Sequence, residues 1–310
     1  MTVLSAAKPP ASGAGRTSRD GQRLSNPQFA ILLVMPAMAL FVAIVLYPLI
    51  AAISTGFVRQ SLVFPGREFV GFDNFATVLS GDFIPILTRT VVFTVGATAI
   101  PFVLGFAVAL ALTAGLRGSA LLRGIFILPW VLPTVVTSFL WMWIFNANYG
   151  VLNGMLMESG ILSSAQVWLG QPGTAMVAVI IAKTWGTFPW MMVMLIAGLQ
   201  AVPKELHEAA SIDGAGVIRR FRAITVPHLR TIIGIVLLLE VIWNFQHFET
   251  LYIMTGGGPA GATTTFSVAV YNTAFKGFDL GTAGALGGLW MLLLIVPMVW
   301  YIRATERRTT

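Results

Sequence analysis

Glu240, Trp243, Asn244 and His247 fall three or four residues apart in the segment EVIWNFQHFETLY at 240–252. At about 100° per residue, a helix gathers them with Leu251 into one broad stripe and turns Glu249 to the opposite side. Asn and His exchange hydrogen bonds with ligand hydroxyls, and Trp offers an apolar face, so the stripe could line a path for a polar solute. The same side chains could instead bind neighbouring helices at about 0.6 to 2 kcal/mol each. Glu240, about 14 Å into its span, could also serve as an ion-coupling carboxylate. Trp141, Trp143, Asn146, Trp185, Phe188 and Trp190 fit interface anchoring or packing better than ligand contact. Lys183, about 30 Å from Pro203 along its helix, is expected to snorkel at the outer interface.

Other chemistries are missing from the chain. It has no Cys, no G-x-x-x-x-G-K-[ST] phosphate loop, no H-E-x-x-H, no G-x-S-x-G, and no carboxylate and histidine cluster at metal-ligand spacing. The sequence therefore predicts no catalytic residue, no metal and no cofactor in this chain, and no enzyme activity of its own. His207 and His228 read as loop residues.

A second group of residues could do mechanical work. The passage HEAASIDGAGVIRRFRAITVPH at 207–228 is polar and basic. Pro203 suits the first turn of a helix, and Glu205 and Glu208 complement its positive end. Leu206, Ala209, Ala210 and Asp213 share a face of a short helix that Gly214 ends. A second piece, Val217 to Ile224, presents Phe221 and Ile224 on one side, and Pro227 is expected to stop it. Two short helices about a glycine elbow make a compact knob. It could dock on a partner, or it could be a surface hairpin whose cations touch lipid phosphates.

These groups must be positioned by membrane spans. The 310 residues are 56% hydrophobic and 10% charged, with mean hydropathy +0.83, which excludes an ordinary water-soluble domain. Six stretches approach the roughly 20 apolar residues that cross a bilayer: 29–54, 90–116, 125–145, 174–202, 231–254 and 280–302. Fourteen Lys and Arg fall in the N-terminal tail, the 117–124 and 203–230 connections and the C-terminal tail, against Arg59, Arg67, Arg89 and Lys276 on the other side. The excess places both termini and the knob in the cytoplasm. The net charge of +7 thus reflects topology, and no nucleic-acid partner is implied. Residues 1–28 read as a flexible cytoplasmic tail, 29–302 as a six-helix transmembrane domain with its loop at 203–229, and 303–310 as a second tail. The first span is expected to remain uncleaved. Pro129, Pro133 and Pro189 should bend their helices, and TGGGPAGATTT at 255–265 reads as an irregular turn.

The pattern EAASIDGA at 208–215, followed by Phe221, Ile224 and the Val226-Pro227 pair, resembles the EAA loop of ABC importer permeases. Val226 stands where that family more often has Leu. LYP at 46–48, GFDNF at 71–75, LPW at 128–130 and TGGGP at 255–259 extend the resemblance to permeases of binding-protein-dependent carbohydrate importers. The resemblance implies an all-α, six-helix type I permease bundle in the bacterial cell membrane. Glu208, Ala209, Ala210, Asp213, Gly214, Ala215, Phe221 and Pro227 would form the coupling loop that fits a cleft on a separate ATPase. It further implies a second homologous permease, two ATP-binding subunits holding ATP and Mg, and an extracytoplasmic solute-binding protein that meets the 255–265 turn. General likeness is to actinobacterial disaccharide importers, with trehalose the candidate sugar. The alternative from the residues themselves is an ion-coupled secondary transporter.

Overall fold

The computed structural model describes residues 26–306 and divides at Ile50 into two units. The expected N-terminal tail lies almost wholly outside the described residues, as do residues 307–310. The first unit is one apolar helix, α1 (Asn26–Phe41), leading through a π turn at Val42–Leu46 into the start of α2 (Tyr47–Thr55). Its side chains are exposed from Phe29 to Ile50. A helix that is apolar on every side and left exposed is stable in lipid, where its backbone is satisfied internally.

In the second unit, a hairpin of β1 (Val58–Gln60) and β2 (Arg67–Phe69) and the short helix α3 (Asp73–Ser80) fill the long polar connection. The helical expectation contained no such hairpin. The long helices α4 (Phe83–Thr113) and α8 (Pro172–Gln200) form the spine of the bundle. Gly105 permits their approach, because a Cβ there would lie 2.9 Å from the Phe188 carbonyl oxygen. Around this seam Ala109, Leu112, Met192, Leu195 and Ile196 form a buried cluster near one end, and Phe93, Ala97, Val179 and Leu251 belong to another.

The expected third span, 125–145, is two helices, α5 (Ser119–Val131) and α6 (Thr134–Ile144), bent by 95°. Leu132 is extended, as the residue before a proline prefers, and Pro133 starts α6 without needing an N–H. Pro129 lies inside α5 and Pro189 inside α8, and neither ends its helix. Beyond α6, α7 (Val151–Glu158) is anchored by Asn153. Its amide donates to the Ala147 and Gln166 carbonyls, and its oxygen accepts from Trp168 Nε1 at 2.8 Å.

The largest departure is in the fifth span. Helix α9 (Lys204–Ile212) precedes α10 (Val217–Arg220), which passes through a π turn at Phe221–Thr225 into α11 (Val226–Phe245). The expected stop at Pro227 is absent, and the helical path from Val217 to Phe245 is 29 residues long. In the widened turn Val226 N–H pairs with the Phe221 carbonyl, which shifts the pairing register just before a residue with no N–H to offer. The other end is also shifted, because the helix stops at Phe245 instead of Met254. Helix α12 (Glu249–Thr255) follows a break, then α13 (Phe266–Tyr271), a third π turn at Asn272–Lys276, and α14 (Leu280–Glu306).

Among the described residues four helices are long and apolar enough to cross a membrane, or five if the bent α5–α6 pair is one span. The apolar stretch Leu280–Val296 of α14 is shorter but occupies the sixth expected position. The architecture is an all-helical membrane bundle, with the hairpin as its one sheet among the described residues.

Candidate functional site

Helix α9 ends in a full Schellman cap. Ala215 N–H reaches the Ala210 carbonyl at 2.9 Å, and Gly214 N–H reaches that of Ser211 at 3.1 Å. Gly214 is left-handed with φ 77°, and a Cβ built on it meets nothing within 4 Å. The glycine is therefore required by backbone conformation, while the space around it is open. Glu208, Ala209, Asp213, Gly214 and Pro227 are exposed, and Ala210, Ala215 and Phe221 are partly covered. Large apolar side chains are exposed as well, Ile212 at 88% and Val217 at 74%. Phe221 is held against the bundle by Phe106 of α4, with ring centroids 5.8 Å apart, and Phe106 stacks on Phe102.

The candidate solute residues separate into two layers. Glu240 and Trp243 line a cavity of about 210 Å³, together with Lys183, Thr187 and Trp190 of α8 and residues of α5, α6 and α12. Trp190 and Trp243 meet edge to face at 5.1 Å. Asn244 is not among the lining residues. It is 1% exposed, and its Nδ2 lies 3.0 Å from Glu240 Oε2, 3.0 Å from the Ala97 carbonyl and 3.1 Å from Thr98 Oγ1. His247 falls in the break after α11, stacks on Phe93 at 5.8 Å, and places Nε2 2.8 Å from Thr250 Oγ1. Thr250 itself lines the cavity. The stripe of four is thus not one helical face: two members front the cavity, and two support residues that do.

Lys183 does not snorkel outward, for it lines the same cavity as Glu240. Measurement from Pro203 alone misplaced it. Helix α8 has 29 residues, about 43 Å, which exceeds a hydrocarbon core of about 30 Å. Lys183 lies 11 residues from its other end. No direct ion pair joins Lys183 to Glu240 among the described residues, where Arg59–Glu68 at 3.0 Å is the one such pair. Both side chains thus line one cavity without a direct ion pair between them.

Of the lesser aromatic candidates, Trp190 alone borders the cavity. Trp141 packs on Phe145 and Trp185, and Trp143 is 71% exposed. Asn146 accepts from the Asn148 and Tyr149 backbones. In the 255–265 turn, Gly256, Gly257 and Gly261 take positive φ. Thr255 and Thr263 hydroxyls there lie 2.6 Å apart, and Thr264 Oγ1 donates to the Gly257 carbonyl at 2.9 Å. Among the described residues no group of three or more His, Asp or Glu could hold a metal ion.

Residues 102–310 match the family described as binding-protein-dependent transport system inner membrane component. The chain is 34% identical over 278 residues to the trehalose/maltose transport system permease protein MalF of Thermococcus litoralis, covering 89% of this chain and 93% of that one. It is 36% identical over 286 residues to the sulfoquinovosyl glycerol transport system permease protein SmoG of Agrobacterium fabrum, covering 90% and 91%. The trehalose transport system permease protein SugA of Mycobacterium tuberculosis is 34% identical over 275 residues, covering 88% and 87%. A chain of the bacterial alginate ABC transporter, solved in complex with an alginate pentasaccharide-bound periplasmic protein, is similar in fold. Its TM-score is 0.74 at 20% identity, covering 91% of this chain and 95% of that one.

Proposed function

We propose, from the premise that this chain belongs to the inner membrane components of binding-protein-dependent transport systems, that it carries a disaccharide through the membrane, with trehalose the first candidate. The chain is the membrane-embedded permease of an ABC importer, and ATP hydrolysis belongs to a separate subunit. Relatives named for trehalose and maltose support the choice of sugar.

The observation that carries the mechanism is the helical path from Val217 to Phe245. It joins the 203–229 knob to Glu240, Trp243 and Asn244 with no hinge loop between them. In this reading both termini and the knob are cytoplasmic. Glu208, Ala209, Ala210, Asp213, Gly214 and Ala215 meet the ATPase, while Phe221 and Pro227 pass its motion into α11. Two ATPase subunits hold ATP and Mg, a second homologous permease completes the pathway, and an extracytoplasmic binding protein delivers the sugar. ATP binding closes the ATPase pair and turns the bundle outward, and hydrolysis returns it.

At the cavity, Glu240 and Lys183 offer a hydrogen-bond acceptor and donor for sugar hydroxyls, and the Trp190–Trp243 pair offers an apolar wall. Asn244 orients Glu240, and His247 orients Thr250. A cavity of about 210 Å³ is smaller than the roughly 300 to 1,000 Å³ of a small-molecule site. A disaccharide therefore passes only when the bundle opens around it, which suits a two-state cycle.

The test is uptake into proteoliposomes by the full chain reconstituted with its co-purifying subunits and binding protein. Trehalose accumulation should require internal ATP and survive collapse of proton and sodium gradients. Gradient-dependent uptake with no ATPase co-purifying would instead make Glu240 and Lys183 an ion-coupling pair and overturn the proposal.

A further inference from the structure

A second cavity, about 530 Å³, opens where the C-terminal ends of α4 and α8 meet the start of α5, helix α9 and the π turn before α11. Its ionisable lining is Arg123, Lys204 and His207, with no carboxylate among the lining residues. Arg123 crosses from α5 toward α4, placing Nη2 3.5 Å from the Leu112 carbonyl oxygen. Its Nε is buried and has no hydrogen-bond partner. Such a group is under-satisfied, and an anionic acceptor would complete it.

The helix ends do not settle the sign of the site alone. The carboxyl ends of α4 and α8 each bring roughly half a negative charge, while the amino ends of α5, at Ser119, and of α9, at Lys204, oppose them. Two full cations, Arg123 and Lys204, then set the sign. The hydroxyls of Ser119 and Thr225 supply neutral donors on the same wall.

We propose that this cavity binds a phosphate group, supplied by an anionic phospholipid of the adjoining leaflet or by inorganic phosphate. Arginine presents a fork that matches phosphate oxygens, and basic pockets between helices at the cytoplasmic face suit anionic headgroups. Lys204 and His207 lie on α9, whereas Arg123 lies on α5. A phosphate held among them ties the knob to the body of the bundle.

The test uses the full chain, purified in mild detergent with its co-purifying subunits, and reads the thermal unfolding midpoint. Dioleoylphosphatidylglycerol, inorganic phosphate and dioleoylglycerol are titrated separately. Stabilisation by the phospholipid with none from dioleoylglycerol supports a lipid source, and stabilisation by inorganic phosphate alone supports a free anion. Arg123→Gln should raise the half-maximal concentration of the effective probe about tenfold. Lys204→Gln, on the exposed knob where folding is not at risk, should raise it severalfold. Arg117→Gln removes an equal charge from the same connection but outside the cavity, and should leave the titration unchanged. Equal stabilisation by dioleoylglycerol, no response to either phosphate probe, or an Arg117→Gln effect matching that of Lys204→Gln overturns the proposal.

Discussion

The knob at 203–229 and the cavity around Glu240 depend on opposite physical conditions. In the knob, Glu208, Asp213 and Gly214 are exposed, and the shape is set locally by helix α9 and its Schellman cap. In the cavity, Glu240 is 3% exposed, and the polar lining is brought together from several helices. Asn244 reaches Ala97 and Thr98, and Lys183 arrives from another helix. A locally determined surface is specified by a short run of residues, whereas a buried polar cluster is specified only by the packing that assembles it. Substitutions that break the knob's cap should therefore disturb transport without disturbing the fold, and those in the cavity should disturb both.

Gly214→Val should separate the two regions most sharply. A β-branched residue at φ 77° is opposed by about 1 to 2 kcal/mol or more. Because a Cβ at this position meets nothing within 4 Å, the bundle should still reach the membrane with normal thermal stability. ATP-driven uptake should fall at least about tenfold, and Gly214→Asn should recover most of it, since Asn tolerates the left-handed region. Equal uptake by all three proteins would mean that the cap has no part in coupling.

The cavity should show the reverse pattern, with strong interdependence. Lys183→Met leaves Glu240 without its opposite charge in the shared space, and Glu240→Gln does the same to Lys183. A buried charge without its partner costs more than the loss of both. In thermal denaturation of the purified complex, the double variant should therefore be more stable than the sum of the single losses predicts, by about 1 kcal/mol. Strict additivity would show that the two side chains do not sense one another, and that the cavity is two separate solvated sites.

How much of this was legible in the sequence follows the same division. The apolar spans were readable because lipid demands long apolar runs, and the end of α9 at Gly214 was readable because a glycine cap acts within a few residues. The hairpin at Val58–Phe69 was missed because three-residue strands carry almost no periodic signal. Lys183 was misplaced because its depth depends on which end of a 29-residue helix is fixed, and a single sequence does not say. Helical spacing put Asn244 and His247 on one stripe with Glu240, but it cannot tell a lining residue from one behind the lining. The bend at Pro133 was signalled by the proline. The unbroken path through Pro227 was not, because a π turn is a tertiary accommodation that leaves no separate mark in the residues.

That accommodation gives the smallest predicted effect and the most direct test of how the two regions communicate. Pro227 breaks no helix in this structure, since the π turn at Phe221–Thr225 absorbs its missing donor. Pro227→Ala supplies an N–H and removes a ring that is unfavourable in a helix interior by as much as about 3 kcal/mol. The variant should be at least as thermostable as the parent, and its uptake should stay within about twofold if what couples knob to cavity is the continuity of the helix from Val217 to Phe245. A tenfold loss with raised stability would point elsewhere. It would mean that the widened turn itself must shift register during transport, and that the link between Phe221 and Glu240 is a joint and not a rod.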